Sequence, residues 1–287
     1  MALSLEEIEK RIINSYELPN NVLNAVPKPI VTVRTSTYQH NLFIKECIEG
    51  VLMQKTTFPF EFIIGEDFST DGTRKIIFEY AKKNPDKIRV ITADYNVGRK
   101  ANGLRCINAS RGKYMAICEG DDYWTDPNKL QKQVDALESN ENSSLCFHNA
   151  MVKYSDNRKK EHKFAIYEKK VFDIEDVIRR DWFIPTQSIV YRKELLENPI
   201  WSHYVFGGDF VLQLLLADKG NFICINEVMS VYRKHGDSVS SNRKPGFTKL
   251  KIIETLSFFN VHTNFKYNNL IQIRLEQIRK GFLSSYI

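Results

Sequence analysis

Three carboxylates crowd into four residues of the run Cys118-Glu119-Gly120-Asp121-Asp122-Tyr123-Trp124. Just ahead of it, Lys113-Tyr114-Met115-Ala116-Ile117 has the composition of a short buried strand, and Asp126-Pro127 behind it opens a helix with proline at its first position. Glu119, Asp121 and Asp122 therefore stand where a strand ends, and Gly120 lets another segment come close. Like charges packed this tightly repel one another. A divalent cation among them removes the repulsion, and hard oxygen donors suit Mg2+ or Mn2+. The bland alternative is a solvated acidic turn. A second acidic strand end, Gly65-Glu66-Asp67 after Phe60-Glu61-Phe62-Ile63-Ile64, favours the metal reading.

The rest of the chain must position these groups. Its 287 residues, 43% hydrophobic and 26% charged, suit one large α/β domain, or a domain with an appendage, and a sizeable core. The net charge of +6 is compatible with an anionic ligand or an anionic membrane surface and too small to indicate nucleic acid. No apolar run approaches the ~20 residues of a membrane span, and Met1 to Lys10 lacks the apolar centre of a secretory signal. The five cysteines (Cys47, Cys106, Cys118, Cys146 and Cys224) are widely spaced without a Cys-x-x-Cys, so they are expected as reduced core residues of a cytosolic protein.

Residues 4 to 16 read as a helix capped by Ser4, with Leu5, Ile8, Ile12 and Ile13 on one face. A linker with Pro19, Asn20, Asn21, Pro27 and Pro29 follows. Strands are then expected at 29–34, 60–64, 88–91 and 113–118, separated by helices from 42 to 53, from the Thr70–Thr73 region to Lys83, and from about Lys100 to Ser110. Strand and helix alternating at this spacing make parallel βαβ units, and ligands of such sheets bind beyond the carboxyl ends of the strands. The polar segments Ser36 to His40, Glu66 to Asp71, Asn96 to Lys100 and Glu119 to Asp122 each follow a strand, so the sheet gathers them into one crevice. The chain has neither a Gly-x-Gly-x-x-Gly after the first strand nor a P-loop. In the second half the pattern gives a helix over 127–139, a strand over 144–153, a charged surface loop over 155–163, a helix over 173–180 and a strand ending at Tyr191. Gly207-Gly208-Asp209 then leads into an apolar helix over 210–217, before short strands over 222–225 and 228–232. After a break at Lys244-Pro245-Gly246, two helices are expected from Thr248 onward, with Leu250, Ile253, Leu256, Phe259, Leu270, Ile273, Ile278 and Phe282 at apolar positions.

In this order the segments resemble the family 2 glycosyltransferases of the GT-A fold, over roughly residues 29 to 240. Ile30 to Tyr38 is similar to that family's opening strand and Thr-Tyr turn, and Phe62 to Thr73 to its acidic Ser-Thr-Asp-Gly-Thr segment. Glu119-Gly120-Asp121-Asp122 is similar to its Asp-x-Asp region, and Gly208-Asp209 to the late acidic position that serves as base. Each match is weak alone; four in the right order after the right strands are specific. Two departures stand out. Arg34-Thr35-Ser36 replaces the usual Ile-Pro turn residues, and Glu119 stands where Asp is commoner, a longer side chain suited to meeting a metal through water.

The resemblance implies an α/β fold, a Rossmann-like and mostly parallel sheet flanked by helices with a C-terminal helical extension. The expected divisions are an N-terminal helical appendage and linker (1–28), the transferase domain (29–240) and the extension (241–287). It implies an inverting, Mn2+- or Mg2+-dependent transferase that moves a sugar from a nucleoside diphosphate sugar to a hydroxyl of a glycan or lipid-linked acceptor. Bacterial surface polysaccharide assembly is the implied setting. A UDP-sugar is the first expectation for the donor, with dTDP and GDP donors open.

On this reading Asp122 is the direct metal ligand, Asp121 contacts ribose or metal, Glu119 stands behind them, and His235 is a third ligand or a phosphate contact, or is simply structural. Asp67, with Glu66 beside it, reads the nucleobase, or either caps the following helix, a task for which Asp71 is the better candidate. Ser36 and Tyr38 line base or ribose, and Asn96, Arg99 and Lys100 form a basic loop near the phosphates, or are simply solvated. Asp209 is the general base, against the alternative of a helix cap, and direct attack with one base inverts the anomeric carbon. Trp182, Phe183 and Trp201 shape an acceptor site, or are simply core. The expected location is cytoplasmic, with peripheral contact at the inner face of the membrane or homodimer pairing open for the basic, apolar C-terminal helices, and packing on the domain favoured. The rival functions are an inactive nucleotide-sugar binder, against which the intact acidic set speaks, and a nucleotidyltransferase, against which the absence of glycine from Arg34 to His40 speaks.

Overall fold

The computed structural model describes residues 4–20, 22, 28–155, 159–205, 207–236 and 246–283. Asn21, Pro27, Lys244, Pro245, the side chain of Phe282 and the boundary at 240/241 lie outside the described residues, as do positions 156–158 of the charged loop. Helix α1 (Leu5–Ile13) starts at Ser4, whose hydroxyl accepts the Glu7 amide (3.2 Å) while the Glu7 carboxylate accepts the Ser4 amide (2.9 Å). That reciprocal cap satisfies two otherwise orphaned donors. After β1 (Tyr16–Glu17) come β2 (Val31–Thr37), α2 (Ile44–Leu52), β3 (Phe60–Glu66), α3 (Thr73–Lys83), β4 (Ile88–Thr92), α4 (Arg99–Ala109) and β5 (Tyr114–Ile117). Strands β4, β3, β2 and β5 are parallel neighbours in that order. Every residue of β3 is buried, as a parallel strand covered by helices on both faces requires.

The second half supplies β6 (Tyr123–Trp124), α5 (Lys129–Glu138), β7 (Ser143–Tyr154), β8 (His162–Lys163), β9 (Val171–Phe172), α6 (Ile174–Arg179), β10 (Val190–Arg192), α7 (Gly208–Lys219), β11 (Asn221–Lys234), α8 (Phe247–His262) and α9 (Asn268–Leu283). The sheet order is β1-β4-β3-β2-β5-β10-β7-β11-β6. β10 is antiparallel to both β5 and β7, and β11 is parallel to β7. Two reversals restore the direction, so β11 runs with β5 and its last residues reach the edge where β2, β3, β4 and β5 end. Sheet topology thus carries Arg233 and His235 to the acidic run.

Several boundaries differ from the sequence reading for local reasons. β2 continues to Thr37, taking Ser36 out of the expected turn and into the strand beside Gly65. α5 begins at Lys129 rather than at Pro127, because the Asp126 carboxylate accepts the Asn128 amide (2.7 Å) and holds a turn there. The two short strands expected at 222–225 and 228–232 are one strand with a register shift between Ile225 and Val228. Tyr123-Trp124, to which the sequence reading gave no element, pairs with β11. Residues 5–17 do more than lead into the sheet. Tyr16 pairs with Thr92 on the outer edge of β4, and Ile8 packs with Ala93, Val97 and Ala101. Ile13, Leu250 and Ile273, read as apolar-face positions, are exposed, whereas Leu256 and Phe259 of α8 and Ile271 and Leu275 of α9 join the cluster that holds Met115 and Ile117. All five cysteines are buried and unpaired by disulfides.

One feature of the core is chemically costly. Lys129 is fully buried, with its Nζ 3.8 Å from the centroid of the Trp124 ring. Its Nζ, Gln133 Oε1, His148 Nε2, Ser230 Oγ and both polar atoms of the Gln187 amide have no hydrogen-bond partner. Burial lowers the Lys129 ammonium to about 7. An unfolded lysine, ordinarily near 10.5, keeps its proton over the range in which the folded one has released it. Stability therefore rises with pH from about 7 to about 10. Lys129→Met is expected to be more stable at pH 7 by about 1–3 kcal/mol and to lose this pH-dependent rise. Thermal melts of both proteins at pH 7 and pH 9 check this, and a variant less stable than the parent at pH 7 would contradict it.

Candidate active site

Beyond the formal end of β5 the acidic run keeps its hold on β2. The Cys118 amide donates to the Arg34 carbonyl (3.0 Å) and the Gly120 amide to the Ser36 carbonyl (3.2 Å). Gly120 is required here, since a Cβ at this position would lie 2.6 Å from Thr37 Oγ1 and 2.7 Å from Thr37 Cβ. With the backbone pinned, the three acids point to three different counterparts. Glu119 accepts Arg34 Nη2 (2.9 Å) and the Ser36 amide (3.3 Å). Asp121 Oδ2 lies 3.2 Å from His235 Nε2. Asp122 is buried, and its Oδ1 accepts the Arg233 amide (2.8 Å).

Their electrostatics follow. Burial lifts the Glu119 carboxyl, with the Arg34 guanidinium opposing and Asp209 and Asp121 adding to the rise. Burial and the neighbouring Asp121 charge push Asp122 well above the usual carboxylate range. Burial also acts to raise Asp121, but its hydrogen bond with His235 and the nearby His40 bring it below its ordinary value. Burial lowers His40, whose ring centroid is 6.3 Å from that of His235.

Among the described residues no three His, Cys, Asp or Glu side chains converge on one point as a preformed metal cage. The pair that does converge is Asp121 and His235, one oxygen and one nitrogen donor. Such a pair fits a divalent ion whose remaining positions are filled by substrate phosphates and water. Asp122, expected to be the first ligand, has one oxygen engaged by the Arg233 amide, and Glu119 faces Arg34.

The neighbouring loops are built by two other carboxylates. Asp67 Oδ1 accepts the Val97 amide (2.7 Å) and Oδ2 the Gly98 amide (3.0 Å), while Asn96 Nδ2 donates to the Asp67 carbonyl (3.2 Å). Burial raises the Asp67 carboxyl against these amides. Glu66 is fully buried, and accepts the Ser69 amide (2.6 Å) and the Thr92 hydroxyl (2.9 Å) beside Arg74 Nε (3.3 Å). It ties β3 to β4 and α3 from within the core. Asp71 accepts the Thr73 amide at the start of α3 (3.0 Å). Ser36 Oγ accepts Arg34 Nη1 (3.1 Å), Tyr38 is exposed, and Arg99 opens α4 at the surface. Lys100 donates to the carbonyls of Ser202 (3.0 Å) and His203, so its ammonium fastens the segment that leads to α7. Burial, with Arg99 beside it, lowers it to about 8.

Asp209 stands in the first turn of α7, behind Gly207 at φ +93°, and its Oδ2 accepts the Thr186 hydroxyl (3.0 Å). Its charge adds to the rise of the Glu119 carboxyl and favours the charged form of Arg34. Of the three candidate acceptor aromatics, Phe183 is buried, Trp201 stacks on Phe258 with centroids 6.2 Å apart, and Trp182 is exposed. Arg34, Thr186 and Arg233 were not read as site residues from the sequence. Arg34 was visible as a departure from the family pattern; Thr186 and Arg233 left no such signal.

Residues 32–203, more than half of the chain, match the family model described as "Glycosyl transferase family 2". The chain belongs to this family. Its relatives include an uncharacterised protein of Mycobacterium tuberculosis, 36% identical over 209 residues, which are 73% of this chain and 60% of the relative. The chain thus spans less than two thirds of that relative. A Bacillus subtilis glycosyltransferase named for teichuronic acid biosynthesis, TuaG, is 27% identical over 217 residues, 75% of this chain and 83% of the relative. Among solved structures, Staphylococcus aureus TarS with UDP-GlcNAc matches with a TM-score of 0.60 at 15% identity, covering 80% of this chain and 65% of that one. The mannosyltransferase PcManGT of Pyrobaculum calidifontis with GDP-Man and Mn2+ matches with a TM-score of 0.54 at 15% identity, covering 98% of this chain and 82% of that one. These likenesses establish the fold.

In this family 2 chain the Arg34–Glu119 pair is testable by itself. Arg34→Met is expected to cost about 1–3 kcal/mol in urea denaturation, because it leaves Glu119 half-buried beside Asp121 and Asp209 without its cation. Adding Glu119→Gln should recover most of that loss. Losses that simply add in the double variant would show that the two groups are not coupled.

Proposed function

We propose that the crevice binds a nucleoside diphosphate sugar, a UDP-sugar first, and transfers its sugar with inversion to a hydroxyl of a glycan or lipid-linked saccharide. The observation that carries this reading is that the Asp121–His235 pair and the loop held by Asp67 lie at one sheet edge of a family 2 chain. Asp121 and His235 would hold a divalent cation, Mn2+ or Mg2+, which when bound offsets the charge left on the departing diphosphate. Tyr38 and the 96–98 loop flank the nucleoside. Thr186 donates to Oδ2 of Asp209 and so orients the carboxylate, leaving Oδ1 to accept the proton of the attacking hydroxyl. Arg34, held by Glu119 and Ser36 Oγ, adds fixed positive charge beside the reacting sugar.

The structural neighbours with UDP-GlcNAc and with GDP-Man and Mn2+ support a nucleotide-sugar donor and a metal, and leave the base to experiment. TuaG and a Campylobacter jejuni glucosyltransferase named for a polyprenyl-diphosphate-linked substrate, 22% identical over 212 residues, support a role in polysaccharide assembly. No helix among the described residues is long and apolar enough to cross a membrane. The setting we propose is the cytoplasm, at the inner face of the membrane where lipid-linked acceptors reside.

Calorimetric titration with UDP, with and without Mn2+, tests the donor site. Binding is expected to strengthen with Mn2+, and Asp121→Ala to lose that gain, at least tenfold in affinity. Asp209→Asn should bind UDP as the parent does and slow sugar release from UDP-sugars more than a hundredfold. Binding of GDP or dTDP in place of UDP would reassign the base, and binding of none of the three would end the donor reading.

A further inference from the structure

One aromatic group is left unused by this chemistry. The rings of Phe164, Trp182 and Tyr232 stand mutually near-perpendicular. Their centroids lie 5.6 Å (Phe164–Trp182), 5.8 Å (Phe164–Tyr232) and 5.6 Å (Trp182–Tyr232) apart, at interplanar angles of 85°, 83° and 86°. Trp182 is 40% exposed, against 1% for Trp124, so a large indole stays open to water while its neighbour Phe183 turns into the core. Backed by two further rings, the exposed indole presents a firm apolar surface to the solvent.

The corner is joined to residues of the site through the chain on two sides. Trp182 lies four residues before Thr186, whose hydroxyl donates to Asp209, so its Cα lies within about 14 Å of that of Thr186 even in a fully extended chain. Tyr232 directly precedes Arg233, whose amide donates to Asp122. Successive side chains of a strand point to opposite faces. The Arg233 guanidinium lies over the rings of Phe43 and Tyr123 and pairs with Glu46, so Tyr232 points the other way, where Phe164 and Trp182 meet it.

We infer that Trp182, backed by Phe164 and Tyr232, is an acceptor subsite that stacks the C–H face of a pyranose ring belonging to the saccharide whose hydroxyl Asp209 deprotonates. An indole beside a general base suits a ring with one apolar face and a polar rim; it offers nothing to a bare phosphate or a charged peptide. The inference rests on the transfer reading given above and deepens it, because it requires the acceptor to be a saccharide at this end of the crevice.

Saturation-transfer NMR on the full chain with UDP and Mn2+ tests it, using the methyl glycosides of glucose, galactose, mannose and N-acetylglucosamine as probes. At least one glycoside is expected to be saturated on its ring C–H protons. Trp182→Ala should cut that signal at least fivefold and Trp182→Phe should retain most of it, with UDP affinity in both variants within twofold of the parent. A signal that survives in Trp182→Ala, or no signal from any of the four glycosides in the parent, overturns the subsite. Failure of the donor reading would show on the UDP arm alone, and the glycoside arm is read equally without UDP.

Discussion

Carboxylates that share the end of one strand cannot all stay charged side by side, and the structure answers this by giving each its own counterpart. Glu119 goes to Arg34 on β2, Asp121 to His235 beyond β11, and Asp122 to the backbone amide of Arg233. These contacts join the first strand of the parallel half, the end of β5 and the last strand of the second half. The crevice exists because this separation of charge needs all three at one sheet edge. Asp67 repeats the solution on a smaller scale, with one loop amide on each oxygen.

The same logic places Asp209, the base of the proposed reaction. Asp209 belongs to the electrostatic field of Glu119 and Arg34, and the Thr186 hydroxyl fixes one of its oxygens. A carboxylate on a helix's first turn is ordinarily a dipole-stabilised cap. What gives this one a chemical task is its neighbours. Lys100 works at a distance on the same part of the molecule. It grips the carbonyls of Ser202 and His203, and so ties the loop ahead of α7 to the loop that Asp67 orders.

Legibility from the sequence followed the range of the interaction. The parallel βαβ alternation, the acidic strand ends, the capping of α1 by Ser4 and the reduced cysteines are signals written within a few residues, and they hold in the structure. The misreadings are places where a distant partner overrode a local preference. Ser36 reads as a turn residue but is held in β2 by pairing with β3. Tyr123-Trp124 carries no strand signal of its own but pairs with β11, more than a hundred residues away. Pro127 reads as a helix start but yields to the turn made by Asp126. Ile13, Leu250 and Ile273 match an apolar period and still face outward, because the period names a face without naming what covers it.

The sequence by itself determined the family, the α/β class and the acidic segments that end the parallel strands, since these depend on residue type and spacing alone. Only the tertiary structure decided how those side chains divide their contacts: Glu66 became a core tie, Glu119 the partner of Arg34, and Asp121 the partner of His235. The physical reason is that a carboxylate's role is set by the donor it meets. Those donors, Arg34, Arg233, Thr186 and His235, come from strands and turns that the sheet order alone makes neighbours.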